Sequence, residues 1–153
     1  MMYGRRPLTR LETGLYAGFT AIIIAVFARQ MLEYMELAER AAMQATLMNA
    51  VSAINVRLVG DSLSQRRDES DWTRRNPFDI ARMSPVNFGG ELDGSPPPSG
   101  SWRYDSQNAE LIYTPRLHFN LQTSNGQTSL RFRLVALPNG VYNLVATTPY
   151  QWE

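Results

Sequence analysis

Few residues of this protein can carry acid–base, nucleophilic or metal chemistry. His118 is the only histidine and cysteine is absent, which excludes thiol nucleophiles and cysteine-based metal sites. Alternation around His118 predicts a strand whose Leu117 and Phe119 face the core while His118 faces solvent. Gly89-Gly90 lacks the flanking residues of a phosphate-binding loop. The sequence therefore predicts no enzyme, no metal and no cofactor. A membrane-anchored enzyme using a carboxylate pair is the weakest alternative.

Charge and aromatic residues give no sign of a nucleic-acid or small-molecule partner. With 15 Lys and Arg against 14 Asp and Glu, the 153-residue protein has a net charge of +1. Its densest basic group is nearly cancelled by acidic neighbours. These basic residues are Arg66, Arg67, Arg74 and Arg75, and the acidic ones are Asp61, Asp68, Glu69 and Asp71. The aromatic residues Trp72, Trp102, Trp152, Tyr104 and Tyr113 are predicted to be core residues rather than a stacking platform.

One long helix, predicted over residues 8–59, organises the protein. Thr13 to Ala28 is uncharged and apolar, and no Pro or Gly interrupts the sequence from Thr20 to Val59. The uncharged run covers about 24 Å, against ~30 Å of hydrocarbon, and a snorkelling Arg29 helps to close the gap. The first half is therefore predicted to be transmembrane. A buried core helix and a cleaved signal peptide are the alternatives.

The charges flanking this segment predict its orientation. Arg5, Arg6 and Arg10 precede it, whereas Arg29 is soon followed by the acidic residues Glu33, Glu36 and Glu39. The positive-inside rule places the leader, residues 1–7, in the cytoplasm and the rest of the protein outside it. In a bacterium this corresponds to the inner membrane and the periplasm.

Beyond Arg29 the helix carries two apolar rows. The first is Met31, Leu32, Met35, Ala38, Ala42, Ala45, Met48, Ser52 and Val56. The second is Tyr34, Leu37, Ala41, Leu47, Val51, Ile54 and Leu58. Together they form a stripe wide enough to contact both a folded domain and neighbouring helices, although burial in the protein's own domain alone is the alternative.

The remainder predicts a polar connection, residues 60–76, and a globular domain, residues 77–153. Strand patterns occur at 101–105, 109–114, 117–121, 130–135 and 141–146, and a hairpin loop lies at 106–108. A short turn or helix is predicted within 76–83. The fold class is therefore α+β, a long N-terminal helix followed by a four- to five-stranded antiparallel sheet.

Three residues near the start of the helix are candidate contacts for assembly with other proteins. Glu12 lies at the mouth of the membrane segment, where a carboxylate is either partnered or solvated beside the positive end of the helix dipole. Gly14 and Gly18 form a small-xxx-small pair that allows another helix to approach closely.

The ensemble of these features resembles the type IV pilin-like family, which includes pilins, minor pilins and the pseudopilins of type II secretion. Leu8-Thr9-Arg10-Leu11-Glu12 is similar to the start of the mature protein in that family, with Glu12 fifth. The globular part is most similar to minor pilus-biogenesis proteins of the mannose-sensitive haemagglutinin (MSHA) system. Its matching stretches are 76–79, 87–92, 100–105 and 109–113. The resemblance implies that Glu12 pairs with the N-terminal amine of a neighbouring subunit.

The resemblance also implies a processing point between Pro7 and Leu8. Prepilin peptidase normally cuts after Gly, whereas Pro7 stands there in this protein and Gly4 is the only leader glycine. Two alternatives follow, a cleaved filament subunit and an uncleaved accessory protein.

The hypothesis is a single-pass membrane protein that acts in assembly of a type IV pilus or a type II secretion pseudopilus. Its expected partners are the membrane and other pilin-like or assembly proteins, which it contacts through its helix and its sheet surface. The main alternative is a membrane-anchored periplasmic binding module unrelated to filaments.

Overall fold

The computed structural model describes residues 9–63 and 71–152. The protein divides into two compact units, Met1–Met35 and Glu36–Glu153. The first helix, α1, runs over Arg10–Leu63 and contributes residues to both. It continues past Val59, where the sequence pattern ends, because Gly60 does not interrupt the helical hydrogen bonding.

In the first unit, every described residue from Thr9 to Met35 is exposed. An 18-residue window of α1 has a mean hydropathy of 1.7 and none of it is buried. By length and composition α1 is therefore long and apolar enough to cross a membrane, a criterion that signal sequences and some core helices also meet.

The described residues of the second unit form the C-terminal part of α1, a 3₁₀ turn, a short helix and seven strands. The 3₁₀ turn is Trp72–Arg74 and the short helix, α2, is Pro77–Ile80. The strands are β1 Phe88–Glu91, β2 Ser101–Asp105, β3 Glu110–Thr114, β4 Leu121–Thr123, β5 Leu130–Ala136, β6 Tyr142–Ala146 and β7 Tyr150–Trp152.

Five strands form the main sheet in the order β1-β2-β3-β5-β6. All neighbours are antiparallel except β1, which runs parallel to β2. β4 and β7 pair separately in a two-stranded antiparallel sheet. The predicted α+β class is confirmed, and the structure adds a parallel edge strand and the small sheet.

The predicted hairpin at 106–108 joins β2 to β3. Asp105 closes it, because its carboxylate accepts hydrogen bonds from the backbone N–H groups of Gln107 and Asn108, each at 3.1 Å. Ala109 then adopts φ 55° and precedes β3. The register pairs Trp102 with Tyr113 across the two strands.

Alternation along the strands places one face of the sheet against α1. The larger buried cluster joins α1 and α2 to the sheet and contains Met43, Ala50, Phe78, Trp102, Tyr104, Leu111, Tyr113, Leu130, Phe132 and Trp152. A smaller cluster contains Ile54, Trp72, Ile80 and Leu134. The prediction that the tryptophans and tyrosines are core residues is confirmed, since all five of those singled out are buried.

The two apolar rows of α1 have different environments. In the second unit the first row, from Ala38 to Val56, is exposed throughout. The second row changes along its length, because Leu37 and Ala41 are exposed whereas Ile54 is fully buried against the sheet. The domain therefore covers only one side of the helix.

The predicted strand at 117–121 is wrong. This segment is a loop and turn, and β4 begins only at Leu121. Phe119, which the alternation places in the core beside Leu117, is 72% exposed. His118 is exposed, as predicted, but it lies in a loop rather than on a strand.

Replacing Trp102 by Ala should lower the free energy of unfolding of the second unit by about 3–5 kcal/mol, because its ring is fully buried between Phe78, Tyr113 and Phe132. Urea unfolding of the detergent-solubilised protein would measure the loss. Phe119→Ala is the matched control and should change stability by less than about 0.5 kcal/mol. Equal losses in the two variants would contradict this description of the core.

Candidate functional site

Glu12 closes the first turn of α1. Its Oε2 accepts hydrogen bonds from the N–H of Thr9 at 2.8 Å and from the Thr9 hydroxyl at 2.9 Å. In return the Glu12 N–H donates to Thr9 Oγ1 at 3.3 Å. This is a capping box, in which Thr9 and Glu12 satisfy each other's orphan backbone donors. The Glu12 carboxylate is exposed and has a local role in starting the helix.

The other predicted contact residues lie in open surroundings or outside the described part of the protein. A Cβ atom added at Gly14 or Gly18 would meet nothing within 4 Å beyond the local helix backbone. Both glycines therefore leave a flat, exposed strip on α1. Pro7 and Leu8, the predicted processing point, lie outside the described residues.

A carboxylate that the sequence patterns mark only as a flanking charge is the most buried ionisable group of α1. Glu36 is 2% exposed. Its Oε1 accepts hydrogen bonds from the Trp152 indole Nε1 at 2.8 Å and from the backbone N–H of Asn120 at 2.9 Å. Its Oε2 accepts from Asn120 Nδ2 at 3.1 Å. Glu36 thus joins α1 to both the 115–120 loop and β7.

Glu39, one helical turn further on, binds the same loop. It accepts hydrogen bonds from the backbone N–H groups of Arg116 at 2.8 Å and Leu117 at 3.2 Å. The Tyr113 hydroxyl also donates to it at 2.8 Å. Burial and this hydrogen bond raise the pKa of Tyr113 well above its ordinary value, so the phenol stays a neutral donor.

Arg40 completes the cluster by donating from its guanidinium to the backbone carbonyl of Trp152. We call Glu36, Glu39 and Arg40 together the helix anchor. Its two carboxylates bind donors of the loop, while Arg40 binds the terminal strand. The backbone N–H groups of a loop need hydrogen-bond acceptors, and here the carboxylates of the anchor supply them. The anchor therefore determines the conformation of residues 115–120.

Sequence reasoning missed the helix anchor, although a signal for it exists. Glu36 precedes Met43 and Ala50 by one and two heptads, and Arg40 precedes Leu47 and Ile54 in the same way. Met43, Ala50 and Ile54 are buried, so the same helical face continues into the polar residues. A charged residue in the buried register predicts a partnered contact rather than a solvated one.

The sheet surface opposite α1 carries a compact row of paired charges. Glu110 is buried and binds Arg131 at 3.2 Å through one carboxylate oxygen and Arg133 at 2.9 Å through the other. Arg131 also lies 3.5 Å from Asp105. Burial by itself raises the pKa of Asp105. Hydrogen bonds from Asn108 and Gln107, together with the nearby Arg131, outweigh burial and lower the pKa overall. The row therefore stabilises the β2–β3–β5 core of the sheet.

Comparison with protein-family models, with curated proteins and with solved structures finds no match to this protein. Among residues 9–63 and 71–152, no group of three or more His, Asp and Glu side chains is placed to hold a metal ion. The described residues are arranged to bind and pack against one another through hydrogen bonds, as the helix anchor does.

Replacing Glu36 by Ala should lower the free energy of unfolding by about 3 kcal/mol, because it leaves the buried Trp152 indole N–H unpaired and also removes the hydrogen bonds from Asn120. The Trp152 indole N–H resonance should move at the same time. Glu33→Ala is the matched control, since its exposed pairing with Arg29 at 3.4 Å contributes at most about 0.5 kcal/mol. Similar losses for both variants would refute the anchoring role of Glu36.

Proposed function

We propose that this protein is a single-pass, pilin-like membrane protein that acts in assembly of a type IV pilus of the MSHA kind or of a type II secretion pseudopilus. The first half of α1 crosses the inner membrane with residues 1–7 in the cytoplasm, and the second unit lies in the periplasm. Contacts of the exposed helix surface and of the sheet surface with other assembly proteins carry the function.

The observation that supports this proposal best is that the domain covers part of one apolar row of α1 and leaves the other row exposed. The part of the second row around Ile54 packs against the sheet, whereas Met48 and Val56 on the first row remain 66% and 70% exposed. Monomeric soluble proteins rarely expose an apolar strip of this length without a partner. In the proposed assembly a helix of another protein covers this strip.

Within this proposal Gly14 and Gly18 form the close-approach surface for a neighbouring helix in the membrane. Glu12 has two candidate roles. It is the local cap of α1 in this structure, and it is the partner of a neighbouring subunit's N-terminal amine in the assembled state. The second role requires a free amine at Leu8, and therefore cleavage after Pro7.

A second candidate function is a membrane-anchored periplasmic binding module without a part in any filament. An open depression of about 440 Å³ between the 3₁₀ turn and β5 is the feature that favours it. Co-purification of the full-length protein with pilus or secretion assembly proteins from its membrane separates the two functions, because only the first requires those proteins.

Ala25→Asp should lower the membrane-bound fraction by about 10-fold or more, because a short carboxylate cannot snorkel and costs ~2.5–3.5 kcal/mol in the middle of a membrane helix. Fractionation of cells followed by alkaline extraction measures it. Ala25→Leu, the matched control, should stay entirely in the membrane. Retention of Ala25→Asp at the level of the control would contradict the transmembrane assignment.

The intact mass and N-terminal sequence of the membrane-extracted protein test its role in assembly. Expressed with active prepilin peptidase, a filament subunit should begin at Leu8, whereas expression without the peptidase should leave residues 1–7 in place. If residues 1–7 stay in place both with and without the peptidase, the protein is not a filament subunit and Glu12 has no neighbouring amine to pair with. The protein would then be a permanently anchored assembly factor.

A further inference from the structure

One turn of the second unit exposes an aromatic ring. The Leu121 N–H donates to the His118 carbonyl at 3.3 Å, which places Phe119 and Asn120 at the tip of a β-turn. Phe119 is 72% exposed, and among the described residues outside α1 no other Phe, Tyr or Trp is exposed. Its ring stacks on that of His118, with the ring centroids 6.5 Å apart. The Phe119 ring therefore contributes little to the core of the domain.

The helix anchor fixes the position of this turn along α1. Glu39 accepts a hydrogen bond from the Leu117 N–H at 3.2 Å. Glu36, one helical turn closer to the N-terminus, accepts from the Asn120 N–H at 2.9 Å. The backbone from Leu117 to Asn120 therefore runs towards the N-terminal end of the buried part of α1. Because Phe119 directly precedes Asn120, the tip of the turn lies at this end.

Glu36 is close in sequence to the segment assigned to the membrane. It follows Ala28, the last residue of the uncharged run, by eight residues, which span about 12 Å at the rise of an α-helix. The uncharged run is about 6 Å shorter than the hydrocarbon layer, and each head-group layer adds about 5–8 Å. If the run is centred in the bilayer, Glu36 lies close to the outer surface of the head groups. A side chain on the turn that Glu36 binds is therefore within reach of the lipid.

The composition around the turn suits a lipid interface. Residues 117–130 contain no Asp, Glu, Lys or Arg, so the turn carries no carboxylate or ammonium group that would resist the loss of water. The two nearby carboxylates, Glu36 and Glu39, already bind donors of the loop. Segments that lie in a membrane interface insert Phe, Trp or Leu side chains at the boundary between head groups and acyl chains. Phe119 is such a side chain.

We infer that the turn of residues 118–121 is a second membrane contact of this protein, in which the Phe119 ring inserts into the lipid interface. The occupant of this surface is the bilayer that α1 crosses, and not a partner protein. The inference rests on the transmembrane part of the proposed function, and it adds that the domain itself touches the lipid. The hydrogen bonds of Glu36 and Glu39 hold the turn in place for this contact.

Tryptophan fluorescence of the full-length protein in phosphatidylcholine vesicles tests the contact. The fluorescence that Phe119→Trp adds should fall about 2-fold when the acyl chains of the lipid are brominated, because an interfacial ring lies about 5–10 Å into the boundary between head groups and acyl chains. The native tryptophans are all buried, and their signal, measured in the unaltered protein, is subtracted. Only the purified protein and lipid are present, so a partner protein cannot produce the effect.

Leu137→Trp is the matched control, since Leu137 is also exposed and lies outside α1. Leu137 directly follows β5, whose last residue pairs with Tyr142. Asn55 binds Tyr142 and follows Glu36 by nineteen residues, about 28 Å further along α1. The fluorescence that Leu137→Trp adds should therefore be the same in brominated and in ordinary lipid.

Phe19→Trp separates this inference from the transmembrane assignment. Phe19 lies in the uncharged run and is 63% exposed, so a Trp at this position is quenched by brominated lipid whenever α1 crosses the bilayer. Quenching of Phe19→Trp, with Phe119→Trp quenched no more than Leu137→Trp, would overturn the inference and leave the proposed function intact. Absence of quenching in Phe19→Trp would overturn the transmembrane assignment and the inference with it.

A spin label on the lipid head group reports the same contact with the Phe119 ring unaltered. In bicelles that contain this lipid, the amide resonances of His118 and Asn120 should broaden, whereas that of Leu137 should stay sharp. Phe119→Ser should reduce the broadening at His118 and Asn120, because the turn loses the side chain that holds it at the interface. Equal broadening in Phe119→Ser and in the unaltered protein, or sharp resonances in both, would contradict the inference.

Discussion

The hydrogen bonding of one buried carboxylate determines much of the second unit. Glu36 is almost entirely removed from water, and the hydrogen bonds it accepts from described residues come from neutral donors, an indole, an amide and a backbone N–H. A buried charge is tolerated only when such donors replace its hydration. The positions of the 115–120 loop and of β7 follow, because both must supply these donors.

The helix anchor also explains why a single helix can have two kinds of surroundings. From Thr9 to Met35 every described residue of α1 is exposed, and from Glu36 onward the same helix has a buried face. This change from an exposed helix to a partly buried one occurs at Glu36, the first residue of α1 that binds the domain. Polar contacts at this point fix the helical register, since each bond requires a particular residue, and apolar packing of Met43 and Ile54 then supplies most of the burial.

The part of the fold that could be predicted from sequence is the part with local signals. β2 and β5 alternate apolar and polar residues, β3 and β6 are rich in residues that favour strands, and all four lie between recognisable turns and were predicted. The error at 117–121 arises because the N–H groups of Leu117 and Asn120 donate to carboxylates of α1 and are not available to a neighbouring strand. A partner far away in sequence thus overrides the local pattern. The helix anchor was missed for the converse reason, since Glu36 resembles a solvated helix charge until its position in the buried heptad is considered.

The ends of strands, rather than their centres, give this domain its distinctive surface. Asp105 closes the β2–β3 turn, and Ala109 then takes a left-handed conformation that ends the β3 ladder before β5 has ended. Every backbone group exposed in this way must find another partner or remain in water. On the outer edge of β6 the Asn55 amide fulfils this need for Tyr142, whereas the last residues of β5 and the 3₁₀ turn line a pocket of about 440 Å³. The hairpin geometry that stabilises the fold therefore also sets the outline of this pocket.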